Sequence, residues 1–530
     1  MKFARHSLAA VLAIAALVAG DCVEARSIRW ARVADALTLD PHAQNEGPTH
    51  NVLHQIYDCL VERGPDGKLR AGLAVSWGIT ADPTMWEFKL RPGVRFHDGR
   101  LFTADDVVFS FERALQPTSD LRSTIGFIEG VTRVDDLAVR IKTRGANPLV
   151  PDSLTNIYIM SRAWAEANST VTVQDYKQKK DNFAARNANG TGAYTVISRE
   201  QDVKTVLKKN DNYWDKGIPH GFTEISYITI KSDATRVAAL LSGEVDLVQD
   251  VPTQDIARLE ATAGIKVNLG PENRTIFFGL DVASPELKSS DVRGKNPLAD
   301  RRVRQAMHLA IDREAIKRAV MRGQSVPAGI ITGPFVNGYT KALDVLPKPD
   351  PDAAKKLLVE AGYPSGFSIT MHCPNDRYIN DEAICQASAA MLAKIGVRVN
   401  LVAQPKGLHF NLVSKEPPET EFYMYGWGVP TYDSHYVFAF LYHSRDARNG
   451  VSNGTRFADK AIDAKIDSLT TETDIARRNA TIAEIWAALT DALIYLPLHH
   501  QTLAFAMKSD IDLPTTPENR IDMKLYGPKK

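Results

Sequence analysis

Five residues have the types and settings from which a recognition site for a small molecule could be assembled. The run Tyr425-Gly-Trp427-Gly-Val-Pro-Thr-Tyr432-Asp433 is a loop punctuated by glycine and proline that carries aromatic rings and one carboxylate. Trp427 and Tyr432 there can stack on apolar parts of a ligand while Asp433 fixes a cationic group. The same residues also read as core, with Asp433 capping a helix over 435–442. Arg377, in Cys373-Pro-Asn-Asp-Arg377-Tyr378, lies between a strand and a helix, a position that faces the ligand crevice in open α/β sheets. Its planar guanidinium can grip a carboxylate through two parallel hydrogen bonds, or serve Asp376 or Asp381 as a structural partner. Asn45, in the polar loop Gln44-Asn45-Glu46-Gly47, is a further candidate.

Other chemistries find less support. No GxSxG nucleophile elbow, Walker A loop or complete GxGxxG fingerprint occurs. An exported hydrolase of the glycosidase or peptidase type stays open as an alternative, because two well-placed carboxylates suffice for glycoside hydrolysis and one sequence cannot show them. Asp98, Asp105 and Asp106 look like an acidic cluster, yet a turn and a helix start account for all three. Arg301-Arg302-Val-Arg304 reads as a solvated face or a helix-end network. Lysine and arginine number 64 against 63 aspartates and glutamates, so no basic field exists to hold nucleic acid. No cofactor is expected.

The first 25 residues read as an export signal: Lys2 and Arg5 precede an apolar run from Leu8 to Gly20, and Val23-Glu24-Ala25 places small residues around a cleavage point near Ala25. Asp21 before Cys22 favours release over lipid anchoring, so the mature chain is expected to start near Arg26 as a soluble protein of the periplasm. In that oxidising compartment Cys373 and Cys385 form a candidate disulfide, leaving Cys59 as the odd thiol. A metal site is the weaker reading of the cysteines, since neither CxxC nor HExxH is present.

The elements that must position these residues alternate between strand and helix. WEFKL at 86–90 and Val94-Arg95-Phe96 read as a hairpin, followed by a helix that Thr103 caps. Residues 234–242 form a helix stopped by Gly243 ahead of a strand at 245–248. A long helix is expected over 301–321 and another over 351–361; a strand at 367–372, a helix at 381–394 and a strand at 397–402 follow. A chain of 530 residues with 44% hydrophobic side chains is too long for one core and points to two or three α/β domains around a largely buried sheet.

These segments, in order, resemble the bacterial extracellular solute-binding protein family 5, the dipeptide- and oligopeptide-binding receptors of periplasmic ABC importers. The resemblance is carried by Ala74-Val-Ser-Trp77, WEFKLRPGVRFHDG at 86–99, FTADDVVFS at 102–110, Gly190-Thr-Gly-Ala-Tyr194 and NDNYWDKG at 210–217. It continues through TRVAALLSGEVDLV at 235–248, RTIFFGLD at 274–281, ADRRVRQAMHLAIDREAI at 299–316 and AKKLLVEAGYPSGF at 354–367.

The resemblance implies a two-lobe fold that closes over its ligand like a trap, with an extra domain inserted in the first lobe. The first lobe would take residues 26–60, 189–282 and 492–530, the insertion 61–188, and the second lobe 283–491. It further implies a monomer that hands its solute to permease subunits, the ligand being a peptide or, as elsewhere in the family, an opine, an oligosaccharide or nickel. In peptide-binding members an aspartate three residues after the tryptophan of a Gly-Trp pair holds the peptide's amino group. Here the pair is Gly426-Trp427 and that position is Pro430, with Asp433 six residues on.

Overall fold

The computed structural model describes residues 26–527 except 177, 416, 447 and 448, so the expected export segment lies outside the described residues. A mixed sheet of eleven strands runs through both lobes. Its order is Val397–Gln404, Phe367–Pro374, Phe422–Trp427, Ile265–Leu280, Tyr495–Lys508, Leu247–Val248, Arg26–Arg32, Phe222–Thr229, Lys204–Lys209, Tyr194–Glu200, with Ser325–Pro327 also on Tyr495–Lys508.

Two strands, Ile265–Leu280 and Tyr495–Lys508, are long enough to belong to both lobes. Their pairing breaks register between Pro271 and Thr275: before the break Ile265–Pro271 pairs with Lys508–Thr502, and after it Thr275 faces His500. The burial of the longer strand changes at the same place. Its first half is partly exposed, whereas Thr275–Leu280 is buried, flanked on both edges by Phe422–Trp427 and Tyr495–Lys508. A strand covered on both faces needs an almost unbroken apolar run, which TIFFGL supplies.

The cores are separate on either side of this crossing. One gathers Ile28 to Tyr57, Ala193 to Tyr227, Leu247 and Leu503 to Met523. Another is built wholly from residues between Leu60 and Ile159, under the four-stranded antiparallel sheet of Ala74–Ile79, Met85–Leu90, Ala138–Thr143 and Ile128–Asp135. The second lobe has two, one around Met307, Phe367 and Met424, the other around Phe438, Ile482 and Trp486. A buried ion pair, Arg113 to Asp40 at 2.6 Å, ties helix Ala104–Ala114 of the second of these units to the loop that leads to Asn45. Burial alone would raise the Asp40 pKa, but the adjacent guanidinium overrides it and holds it at about 2.

Several local expectations meet corrections. The single helix over 301–321 is two, Arg301–Ala310 and Arg313–Ala319, because Asp312 accepts the amide of Ala315 and caps a new helix after extended Ile311. The strand expected at 245–248 is reduced to Leu247–Val248. The helix expected over 435–442 is the short α-helix Ser434–Val437 continued by a wider turn at Phe438–Tyr442. Arg304 is buried and donates to the carbonyls of Ala492, Leu298 and Ala299, so it belongs to a helix-end network and not to a solvated face. Asp106 accepts the amide of Thr103 at 2.9 Å, and Asp98 is held by Asn189. Among the described residues no helix is long and apolar enough to cross a membrane.

Candidate functional site

The loop that follows strand Phe367–Pro374 is held at both ends and in its middle. Cys373 is disulfide-bonded to Cys385 of helix Asp381–Ala393, with Cα atoms 6.6 Å apart, while Cys59 is free and buried. Asp381 Oδ2 accepts the amides of both Arg377 and Tyr378 at 3.0 Å. The Tyr378 hydroxyl accepts the amide of Gly426 at 2.8 Å, and a side chain at 426 would lie 2.6 Å from the Tyr378 ring. That close approach is why glycine precedes Trp427.

So anchored, the loop leaves the Arg377 side chain standing in the space between the lobes. Its guanidinium carbon is 5.1 Å from the ring centroid of Tyr378, and among the described residues no carboxylate pairs with it. Surrounding protein lowers its pKa, first by desolvation and then through the nearby charge of Arg274. Arg274 is itself matched by Glu272 at 3.1 Å, which keeps its pKa raised against burial. Both residues sit in the register break between the lobes.

The cavity here has a volume of about 430 Å³. The second lobe contributes Arg377, Tyr378, Phe410, Tyr425, Trp427, Pro430, Tyr432 and Tyr436; the first contributes His50, Asn156, Glu518 and Arg520. The aromatic residues form a continuous wall. Trp427 stacks on Tyr425 at 5.8 Å between centroids and lies 5.8 Å from Tyr436, and Phe410 meets Tyr425 edge-on at 5.5 Å. On the facing wall Glu518 pairs with Arg520 at 2.8 Å and lies 3.6 Å from Arg63, and His50, pushed down to about 3 by burial, is neutral. A second cavity of about 410 Å³ shares Glu272, Arg274 and Arg377 with the first and adds Asp233, Arg236, Asp250 and Thr253.

Of the residues singled out from sequence, Trp427, Tyr432 and Arg377 line the cavity together. Asp433 does not. It is 3% exposed, paired with Arg478, bonded by Asn337 at 2.9 Å, and it caps Ser434–Val437 through the amide of His435, so its charge is already spoken for inside the second lobe. The reading in which it fixes a ligand cation gives way to the capping role. Asn45 stands behind the wall, where its carboxamide oxygen is 2.9 Å from Nε2 of the lining His50. Sequence reasoning missed Glu272, Arg274, Glu518, Arg520 and the rings of Phe410 and Tyr436. For Glu272 and Arg274 the signal was the charged Glu-Asn-Arg stretch immediately before TIFFGL, out of place in a central strand.

Two lobes joined by shared strands, with a cavity between them walled by rings and arginine, define a solute receptor of the clamshell kind. The family model for bacterial extracellular solute-binding proteins, family 5, matches residues 68–449, and the chain belongs to that family. The glutathione-binding protein GsiB of Pectobacterium atrosepticum is 26% identical over 501 residues, 92% of each chain. The periplasmic binding protein DppA of Helicobacter pylori, solved with the peptide STSA, superposes with a TM-score of 0.75 at 22% identity, covering 96% of this chain and 98% of the other. The substrate-binding protein CtaP of Listeria monocytogenes reaches a TM-score of 0.82 at 20% identity, covering 96% and 100%.

Proposed function

We propose that the chain is the periplasmic receptor of an ABC importer, which captures short peptides or peptide-like carboxylates between its lobes and delivers them as a monomer to the permease subunits. Residues 1–25 are its export signal, and residues 26–60, 189–282 and 492–530 form the first lobe, 61–188 its inserted domain and 283–491 the second lobe. The observation that carries the ligand class is Arg377, an arginine without a carboxylate partner among the described residues, standing in the cleft beside the aromatic wall. The names of the relatives, glutathione- and peptide-binding, agree with it.

Capture without turnover is favoured over a hydrolase by the state of the lining carboxylates. Glu272 and Glu518 are each bonded to an arginine, so neither carboxylate is left free to face a substrate bond as an acid or a nucleophile. Thermal unfolding of the mature chain against dipeptides, longer peptides, opines, oligosaccharides and nickel tests the reading, because a ligand bound by the folded state alone raises stability by RT ln(1 + [L]/Kd). The midpoint rises with carboxylate-bearing peptides and stays put with neutral sugars. Hydrolysis of any of these compounds, or a shift with sugars alone, overturns it.

A further inference from the structure

Every acidic side chain that lines the two cavities is already matched by an arginine of the protein itself. Glu272 is bonded to Arg274, Glu518 to Arg520, Asp233 to Arg236 and Asp250 to Arg32. Arg377 is the lining arginine left without a carboxylate among the described residues. The charge that the cleft lacks is therefore negative, and it lacks it at one place.

A ligand ammonium has no equivalent place. To take a carboxylate for itself it must displace an arginine from an ion pair, and to share one it must sit against that arginine's positive charge. Three of the four arginines so engaged are strongly buried, Arg520 and Arg236 at 6% and 1% exposed and Arg32 at 4%. Stranding such a charge in the wall disfavours the exchange, since a buried guanidinium without its partner is left uncompensated. The rest of the first cavity is the aromatic wall with Val429 and Pro430, a surface that takes an uncharged group. Trp427 offers an ammonium little open face, because its ring is flanked by Tyr425, Tyr436 and Phe440 at 5.8–6.0 Å between centroids.

We propose that the receptor selects acidic solutes whose amino end is acylated or otherwise uncharged, N-acyl amino acids or N-blocked short peptides with a free carboxylate, over peptides with a free α-amine. The inference rests on the receptor reading above. Isothermal titration of the mature protein with Ala-Phe, N-acetyl-Ala-Phe and N-acetyl-Ala-Phe-amide tests it without altering the protein. N-acetyl-Ala-Phe is expected to bind at least as tightly as Ala-Phe, and amidation to weaken binding tenfold or more. If acetylation instead weakens binding tenfold while Ala-Phe binds, the proposal is overturned and the peptide-receptor reading stands. If none of the three binds, both fall.

Discussion

Arg63 and Tyr432 meet across the cleft, the guanidinium carbon lying 4.1 Å from the ring centroid. Arg63 ends the strand Val61–Arg63 on the side of the first lobe, where Asp152 holds it at 2.8 Å, and Tyr432 belongs to the loop of the second lobe that carries Trp427. Tyr432 adopts a left-handed backbone at φ 54° and is 5% exposed, a conformation a tyrosine keeps only where its surroundings demand it. The contact joins the two sides of the cleft.

Tyr432→Ala removes this contact while leaving Arg377 in place. A desolvated cation–π pair is worth about 1–2 kcal/mol, so ligand affinity falls by roughly 10-fold. Calorimetry gives the affinity, and small-angle scattering of the unliganded variant shows a larger radius of gyration than the wild type. An unchanged affinity and radius would show that the pair does not bias closure.

Arg377→Gln separates recognition from folding. The guanidinium has no carboxylate partner among the described residues and is disfavoured by its neighbour Arg274, so the unliganded melting temperature stays level or rises slightly. Loss of a charge-assisted hydrogen bond to a ligand carboxylate costs about 1.5–3 kcal/mol, a weakening of roughly 10- to 100-fold. Retained affinity would place the carboxylate elsewhere.

Asp433→Asn should behave in the opposite way. Asp433 and Arg478 are 4% and 5% exposed in their side chains, and removing one member of a buried pair destabilises by about 3–5 kcal/mol. Urea unfolding reads that loss, whereas ligand affinity of the protein that remains folded changes little. A selective loss of affinity at unchanged stability would return Asp433 to the binding site.

Cys385→Ser opens the loop closed by the 373–385 disulfide, whose sequence separation is 12 residues. The loop-closure entropy of so short a ring gives about 2–3 kcal/mol, and the loop keeps its other ties through Asp381 and Tyr378. The expected outcome is a lower urea midpoint with ligand binding preserved within a few-fold. Peptide mapping of the unreduced wild type recovers the two cysteines in one linked fragment.

One buried histidine makes stability fall as the pH drops through the range in which a free histidine titrates. His499 is 2% exposed, neither ring nitrogen has a hydrogen-bond partner among the described residues, and burial, followed by its neighbour His500, pushes it down to about 3. An unfolded histidine titrates near 6.5. The folded state's advantage is therefore complete above about pH 6.5 and is lost as the pH falls below it, by about 1.4 kcal/mol per unit for each such group. In His499→Leu the drop in unfolding free energy between about pH 7.5 and about pH 5 is smaller than in the wild type by about 2 kcal/mol. An identical pH slope in the variant would show that His499 is not the group responsible.

Much of the architecture was open to reading because its causes are local. Thr103 ahead of Asp105 and Asp106 and Gly243 after Leu240 mark helix ends through bonds that span three or four residues, and the structure places helix boundaries at both. The helix over 301–321 misled because its apolar spacing runs on through Asp312, where a cap that acts over three residues outweighs the periodicity. The Trp427 loop could be recognised as a pocket element from its rings and its glycine and proline, but which of its side chains face the cleft could not.

By itself the chain's alternation of strands and helices pointed to α/β domains, its ordered motifs resembled the family and so implied two lobes, and its residue types made rings and an arginine available for a ligand. Only the tertiary structure decided which charges remain free. Asp433 and Arg478 are 45 residues apart, and Arg63 and Glu518 come from distant stretches of the chain, yet each pair meets in space. Ion pairing depends on distances of a few ångströms between side chains brought together by the packing of separate cores, so the neutralisation of Asp433, Glu272 and Glu518, and the solitary state of Arg377, exist only in the folded molecule.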